Sequence, residues 1–121
     1  MKERLSHWSE NPAAAKALSG RKGTDIVILS VGQQTIIADY FVICTANSTT
    51  HIKTLSDEVE KALKDNGESP FRVEGYRGGG WVLVDYGCVV VHLFLGEIRD
   101  FYALEHLWND APVLDVSELI Q

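Results

Sequence analysis

Apolar residues in this chain come in short runs broken by glycine, proline and polar clusters, and two of the richest runs are close neighbours. Trp81 to Asp85 (WVLVD) and Val89 to Leu95 (VVVHLFL) are dense in β-branched and aromatic residues, and the short break Tyr86-Gly87-Cys88 between them predicts a β-hairpin. With that break as a tight turn, Trp81, Leu83, Val91 and Leu93 share one face, and Val82, Val84, Val90, His92 and Phe94 share the other. Neither face is then polar enough to be washed by solvent, which puts the hairpin at the centre of a sheet. Upstream, Asp25 to Val31 (DIVILSV) and Tyr40 to Ala46 (YFVICTA) predict two further buried strands, joined through a turn at Gly32-Gln33-Gln34 and a stretch, Ile36 to Tyr40, that fits strand or loop. A short strand, Phe71 to Gly75, follows Pro70.

The helical period marks the remaining segments. Asn11-Pro12 supplies a cap and a first-turn proline for a short helix, Ala13 to Leu18, ended by Ser19-Gly20. Asn47-Ser48 caps the longest helix, Thr49 to Asn66, which puts Ile52, Leu55, Val59, Ala62 and Leu63 on one face and stops at Asn66-Gly67. A last helix is expected from Glu97 to Trp108, and residues from Ala111 to Gln121 form a short helix or a tail. The order α, β, β, α, β, β, β, α predicts one mixed β-sheet with packed helices, an α/β (α+β) architecture. A chain of 121 residues holds one such domain, here residues 12–121 behind an N-terminal arm of residues 1–11.

The expected last helix is unusual in its breadth. Ile98, Phe101, Tyr102, Leu104, Leu107 and Trp108 spread around more than half its circumference, wider than one core contact needs, so part of it should face outward. Glu97 and Glu105 lie at helical spacing from Phe101 and Trp108, which sets carboxylates beside aromatic rings. Tyr102 is the best candidate for the exposed part, because its hydroxyl tolerates water.

Charge points the same way. The chain carries a net charge of −6 and a pI near 5.1, which argues against phosphate-backbone binding. Basic residues gather near the N-terminus, at Lys2, Arg4, Lys16, Arg21 and Lys22. From Asp85 onward, Asp85, Glu97, Asp100, Glu105, Asp110, Asp115 and Glu118 face Arg99 alone. An acidic, aromatic C-terminal half suits a basic protein partner, with electrostatics raising association rate and specificity.

Catalytic patterns are missing. Gly78-Gly79-Gly80 lacks the following Lys-Ser/Thr of a phosphate loop and leads into a strand. His7, His51, His92 and His106 show no metal-ligand spacing, and His92, in an apolar strand, suits a core imidazole. Asp39 and Asp85 lack a third carboxylate and suit capping or turn roles. Cys44 and Cys88 have no C-x-x-C spacing and are expected as buried thiols, which fits a reducing compartment. No apolar run approaches the roughly 20 residues of a membrane span, and the first residues lack a signal-peptide core, so a soluble, cytoplasmic protein without metal or cofactor is expected.

The runs DIVILSV, ADYFVICTANS (Ala38 to Ser48), SDEVEKAL (Ser56 to Leu63), Glu74-Gly75, WVLVDYG (Trp81 to Gly87), VVVHLF (Val89 to Phe94) and EIRDFYALEHLWNDAP (Glu97 to Pro112) resemble, in order, the ribosomal silencing factor RsfS or Iojap-like family. The chain departs from that pattern at Cys88 and Gly80, where an acidic residue is common, and at Gly96, where proline is. The resemblance implies a nucleotidyltransferase-like fold lacking catalytic residues. It also implies a translation repressor that binds the large ribosomal subunit through a basic protein at the subunit interface, the fourteenth large-subunit protein. Bound there, it would block joining of the small subunit when nutrients are short. Carried over by motif position, the partner surface comprises Trp81, Asp85, Tyr86, His92, Phe94, Glu97, Arg99, Tyr102, Glu105 and Trp108, with Asp39 and Tyr40 as weaker members. A homodimer in the free state is compatible with the same surface. The alternatives are a constitutive homodimeric adaptor and a small nucleotidyltransferase-type enzyme, against which the absent G-S and D-x-D patterns count.

Overall fold

The structure, a computed structural model, describes residues 13–32, 38–77, 80–96 and 113–114. Helix α1 covers residues 13–20 and leads into strand β1 (Thr24–Ser30), then β2 (Tyr40–Ala46), helix α2 (Thr49–Asp65), β3 (Arg72–Glu74), β4 (Trp81–Asp85), β5 (Val89–Leu95) and β6 (Val113–Leu114). The six strands form one mixed sheet in the order β3-β4-β5-β2-β1-β6, antiparallel throughout except for the parallel pair β2 and β5 at its middle. That parallel pair explains why YFVICTA and VVVHLFL are nearly continuous apolar runs, since a central strand covered on both faces has no polar side to show. The centre of the sheet is therefore β5 with β2, and β4 lies one strand in from the edge.

The expected division of the hairpin's faces is off by one residue. Tyr86 N–H donates to the Val89 carbonyl at 2.9 Å, which leaves only Gly87 and Cys88 in the turn, with Gly87 at φ +87° as such a two-residue turn requires. Taking one residue out of the loop shifts every cross-strand pair by one, so Trp81 stands opposite Phe94 and Leu83 opposite His92. Trp81, Leu83, Asp85, Val90, His92 and Phe94 consequently share one face, and Val82, Val84, Val91 and Leu93 share the other.

Helices α1 and α2 cover the second of these faces. Ser48 caps α2 by accepting from His51 N–H at 3.0 Å, and Gly67, at φ +83°, closes it as its N–H donates to the Lys64 carbonyl. The spacing of Ile52, Leu55, Val59 and Leu63 then turns one stripe of α2 onto Val42, Val82, Val84, Val91 and Leu93. Each of those fully buried side chains contributes on the order of 1.5–3 kcal/mol relative to exposure. His51 ties the two helices' ends together: its Nδ1 accepts from Asn47 N–H at 2.8 Å and its Nε2 lies 2.8 Å from the Arg21 carbonyl.

On the opposite face Leu29, Val31, Ala38, Phe41, Ile43, Val90 and Phe94 form a second buried cluster, with Val27, Trp81 and Leu83 half-buried against it. Residues 113–114, expected in a short helix or tail, instead form the edge strand β6 beside Ile28 and Leu29 of β1. The expected helix at 97–108 and the ambiguous residues 36 and 37 lie outside the described residues. Cys44 is buried, as expected, while Cys88, also expected to be buried, sits half-buried in the hairpin turn.

Candidate partner-binding surface

The first sheet face, at the β3–β4 edge, gathers the charged and aromatic residues. Register places Arg72 beside Asp85, and Glu74 beside Leu83, which stands beside His92. Asp85 uses both carboxylate oxygens: Oδ1 accepts from Gly87 N–H at 2.7 Å and fixes the turn, and Oδ2 accepts from Arg72 Nε at 3.1 Å. The turn role expected of Asp85 is thus its observed one. Arg72 also reaches Glu74, Nη1 to Oε1 at 3.4 Å, so two carboxylates share one guanidinium.

Trp81 and His92 are joined side chain to side chain. Trp81 Nε1 donates to His92 Nδ1 at 3.2 Å. An indole N–H can only donate, so the neutral imidazole must carry its proton on Nε2. That Nε2 is buried and has no hydrogen-bond acceptor among the described residues. Phe41 meets the imidazole edge-on at 4.9 Å between centroids, and Phe94 stacks on it at 6.1 Å and lies tilted against Trp81 at 4.9 Å. Desolvation in this aromatic nest lowers the His92 pKa from 6.5 to about 4, against a smaller opposing pull from Asp85. His92 is therefore neutral at physiological pH, a core imidazole as its strand position suggested.

Burial sorts the expected partner residues. Tyr86, His92 and Phe94 are 6%, 5% and 1% exposed, so they belong to the packed interior. They come into the expected set by motif position in the family resemblance, whereas the apolar run itself suggests a strand buried on both faces. Trp81 and Asp85 are half-buried at the edge and remain within reach of a partner. Asp39 and Tyr40 are half-buried at the start of β2, where both backbone N–H groups donate to the Cys88 carbonyl, away from the Trp81 cluster in the strand register. Glu97, Arg99, Tyr102, Glu105 and Trp108 lie outside the described residues.

Three residues beside this surface had no place in the expected set: Phe71, Arg72 and Glu74. Phe71 is 78% exposed, with its ring lying where a side chain at Gly87 would be. The signal for Glu74 was the Glu74-Gly75 pair: Gly75 takes φ +80°, and a Cβ there would overlap the Trp81 carbonyl, so β3 can approach β4 only with glycine at that point. Glu74, Gly75, Trp81 and Leu83 line a hollow of about 260 Å³. A larger one, about 420 Å³, lies between α1 and α2, but its Lys16 and Lys61 are balanced by Glu58 and Asp65, so it favours neither sign of ligand. Among the described residues, no three His, Cys, Asp or Glu side chains come together as metal ligands, and no helix is long and apolar enough to cross a membrane.

The chain is similar to proteins that carry the same pattern. The family model described as "ribosomal silencing factor during starvation" matches residues 6–121. A ribosomal silencing factor RsfS from Halalkalibacterium halodurans is 37% identical over 107 residues, 88% of this chain and 92% of that protein. The mouse protein named "mitochondrial assembly of ribosomal large subunit protein 1" is 36% identical over 88 residues, 70% of this chain and 39% of that longer protein. A crystal structure of a protein from Chromobacterium violaceum superposes with a TM-score of 0.82 at 36% identity, covering 84% of this chain and 85% of that one. With the family model matching residues 6–121 and the fold superposing over 84% of the chain, the protein belongs to the RsfS family of ribosomal silencing factors.

Proposed function

We propose that this protein represses translation by seating itself on the large ribosomal subunit, through a basic protein of the joining face, and so excludes the small subunit. The observation that carries the reading is the family match over residues 6–121. The large subunit as target is supported by the name of the mouse relative. A basic protein as the point of contact, the fourteenth large-subunit protein by family resemblance, is supported by the net charge of −6 and by Glu74, which lines a hollow with Trp81 at the β3–β4 edge.

The mechanism is occlusion without a reaction: two bodies cannot occupy one joining face, so repression scales with the fraction of large subunits occupied. No cofactor, metal, membrane or specific nucleic-acid contact enters it, and a cytoplasmic setting follows from the target. Residues 12–121 act as one domain behind a short arm, a reading supported by β6 at 113–114 closing the edge of the sheet that begins at Thr24. Trp81 and Asp85 serve as contacts at the edge, with Glu97, Arg99, Tyr102, Glu105 and Trp108 as further members, and a free-state homodimer would compete for the same surface.

The test is subunit joining. Adding the purified protein to equal amounts of large and small subunits should lower the joined fraction in a sucrose gradient in proportion to its concentration. The inhibition should weaken as salt rises from about 50 to 300 mM, since exposed charges are screened over about 10 Å near 0.1 M. An unchanged joined fraction at saturating protein contradicts the reading.

A further inference from the structure

We propose that the hollow bounded by Glu74, Gly75, Trp81 and Leu83 receives one lysine or arginine side chain of the basic partner, with its stem on Trp81 and Leu83 and its cation at the Glu74 carboxylate. The proposal rests on the reading of a basic protein partner given above and assigns a residue, Glu74, to its recognition.

Size limits what the hollow holds. At about 260 Å³ it falls below the roughly 300–1,000 Å³ of sites that enclose a metabolite or cofactor, and suits a single long side chain. Its walls match such a side chain in kind. Trp81 and Leu83 offer apolar surface to the methylene stem, and an indole face attracts a cation held within about 6 Å. Charge selects the sign: Glu74 and Asp85 share Arg72, at 3.4 and 3.1 Å, so these three side chains carry one negative charge in excess and Glu74, well exposed, has acceptor capacity left.

The pocket is also held in shape before a partner arrives. The Trp81 indole N–H donates to His92 Nδ1 at 3.2 Å from the neighbouring strand, and Phe94 packs against the indole at 4.9 Å, so the tryptophan does not have to be ordered on binding. Gly75 completes the wall, because its missing Cβ lets the chain turn against the Trp81 carbonyl while Glu74 stays level with Leu83. The Glu74-Gly75 pair thus does two things: the glycine makes the turn and the glutamate supplies the charge.

The experiment uses the full chain labelled with ¹⁵N. The Trp81 indole N–H resonance, assigned by its loss in Trp81→Phe, is followed while hexa-arginine is added, with hexa-citrulline as the neutral control. Hexa-arginine should shift that resonance saturably and hexa-citrulline should not. Glu74→Gln should weaken the effect about tenfold at an unchanged thermal midpoint, the size expected for one lost charge-assisted contact. Glu74→Gln should weaken pelleting with large subunits by a similar factor. An indole resonance that ignores hexa-arginine, or responds equally in Glu74→Gln, overturns the pocket. If the wild type does not pellet with large subunits the repressor reading falls instead, and the peptide titration still decides the pocket.

Discussion

Part of this protein's loss of stability in acid should come from one residue, His92. Its imidazole titrates near 6.5 when the chain is unfolded and at about 4 in the native state, because the aromatic nest of Phe41, Trp81 and Phe94 replaces water around it. Between those two values the unfolded chain binds a proton that the native protein refuses, so stability rises with pH across the window and falls as pH is lowered through it. Protonation of Nδ1 would also remove the only acceptor that ring offers to the Trp81 indole. At about 1.4 kcal/mol per pH unit, the loss attributable to His92 comes to about 2 kcal/mol by pH 5 and about 3 kcal/mol by pH 4. Asp85, whose charge favours the imidazolium, trims the effect. Urea unfolding followed by circular dichroism at pH 7, 6 and 5, on wild type and on His92→Gln, measures it, and taking the difference between the two cancels the other histidines and the carboxylates. The wild type should lose about 2 kcal/mol more than His92→Gln between pH 7 and pH 5. Equal losses in the two proteins would refute the argument that burial holds His92 neutral.

Leu55→Ala, which empties a fully buried position between α2 and the sheet, should cost about 2–5 kcal/mol in urea unfolding, and a loss under about 1 kcal/mol would mean that α2 is not anchored there. Gly75→Ala should cost at least about 1–2 kcal/mol for its left-handed backbone alone, with more from the overlap with the Trp81 carbonyl, and an alanine variant as stable as wild type would contradict that conformation. Calorimetric titration with ATP, GTP, CTP, Mg²⁺ and Zn²⁺ should be flat, and saturable micromolar binding of any of them would revive a transferase reading.

Most of the fold could be seen in the chain because its strands and helices are set off by strong local signals. Tyr40–Ala46, Trp81–Asp85 and Val89–Leu95 have the bounds their composition suggested, and Ser48 and Gly67 end α2 where a cap and a stop stood in the sequence. What escaped depends on pairing between distant residues. Whether the hairpin turn holds two residues or three is settled by the Tyr86–Val89 hydrogen bond, and that one residue decides which side chains share a face with Trp81. Strand β6 is two residues long and exists only because β1 has an open edge for it. Tyr86, His92 and Phe94 entered the partner set by motif position alone, and motif position carries no information on burial: His92 and Phe94 lie on β5, which is buried along nearly its whole length, and Tyr86 is buried at the turn before it. Glu74 escaped for the opposite reason: a lone glutamate beside a glycine has no chemistry until the sheet brings it level with Leu83 and Trp81.

The central claim, that this chain acts on the large ribosomal subunit, is tested most directly by sedimenting the purified protein with isolated subunits at about 50 mM salt. The account predicts that it pellets saturably with large subunits and not with small ones. Equal pelleting with both, or none with the large subunit, would contradict it.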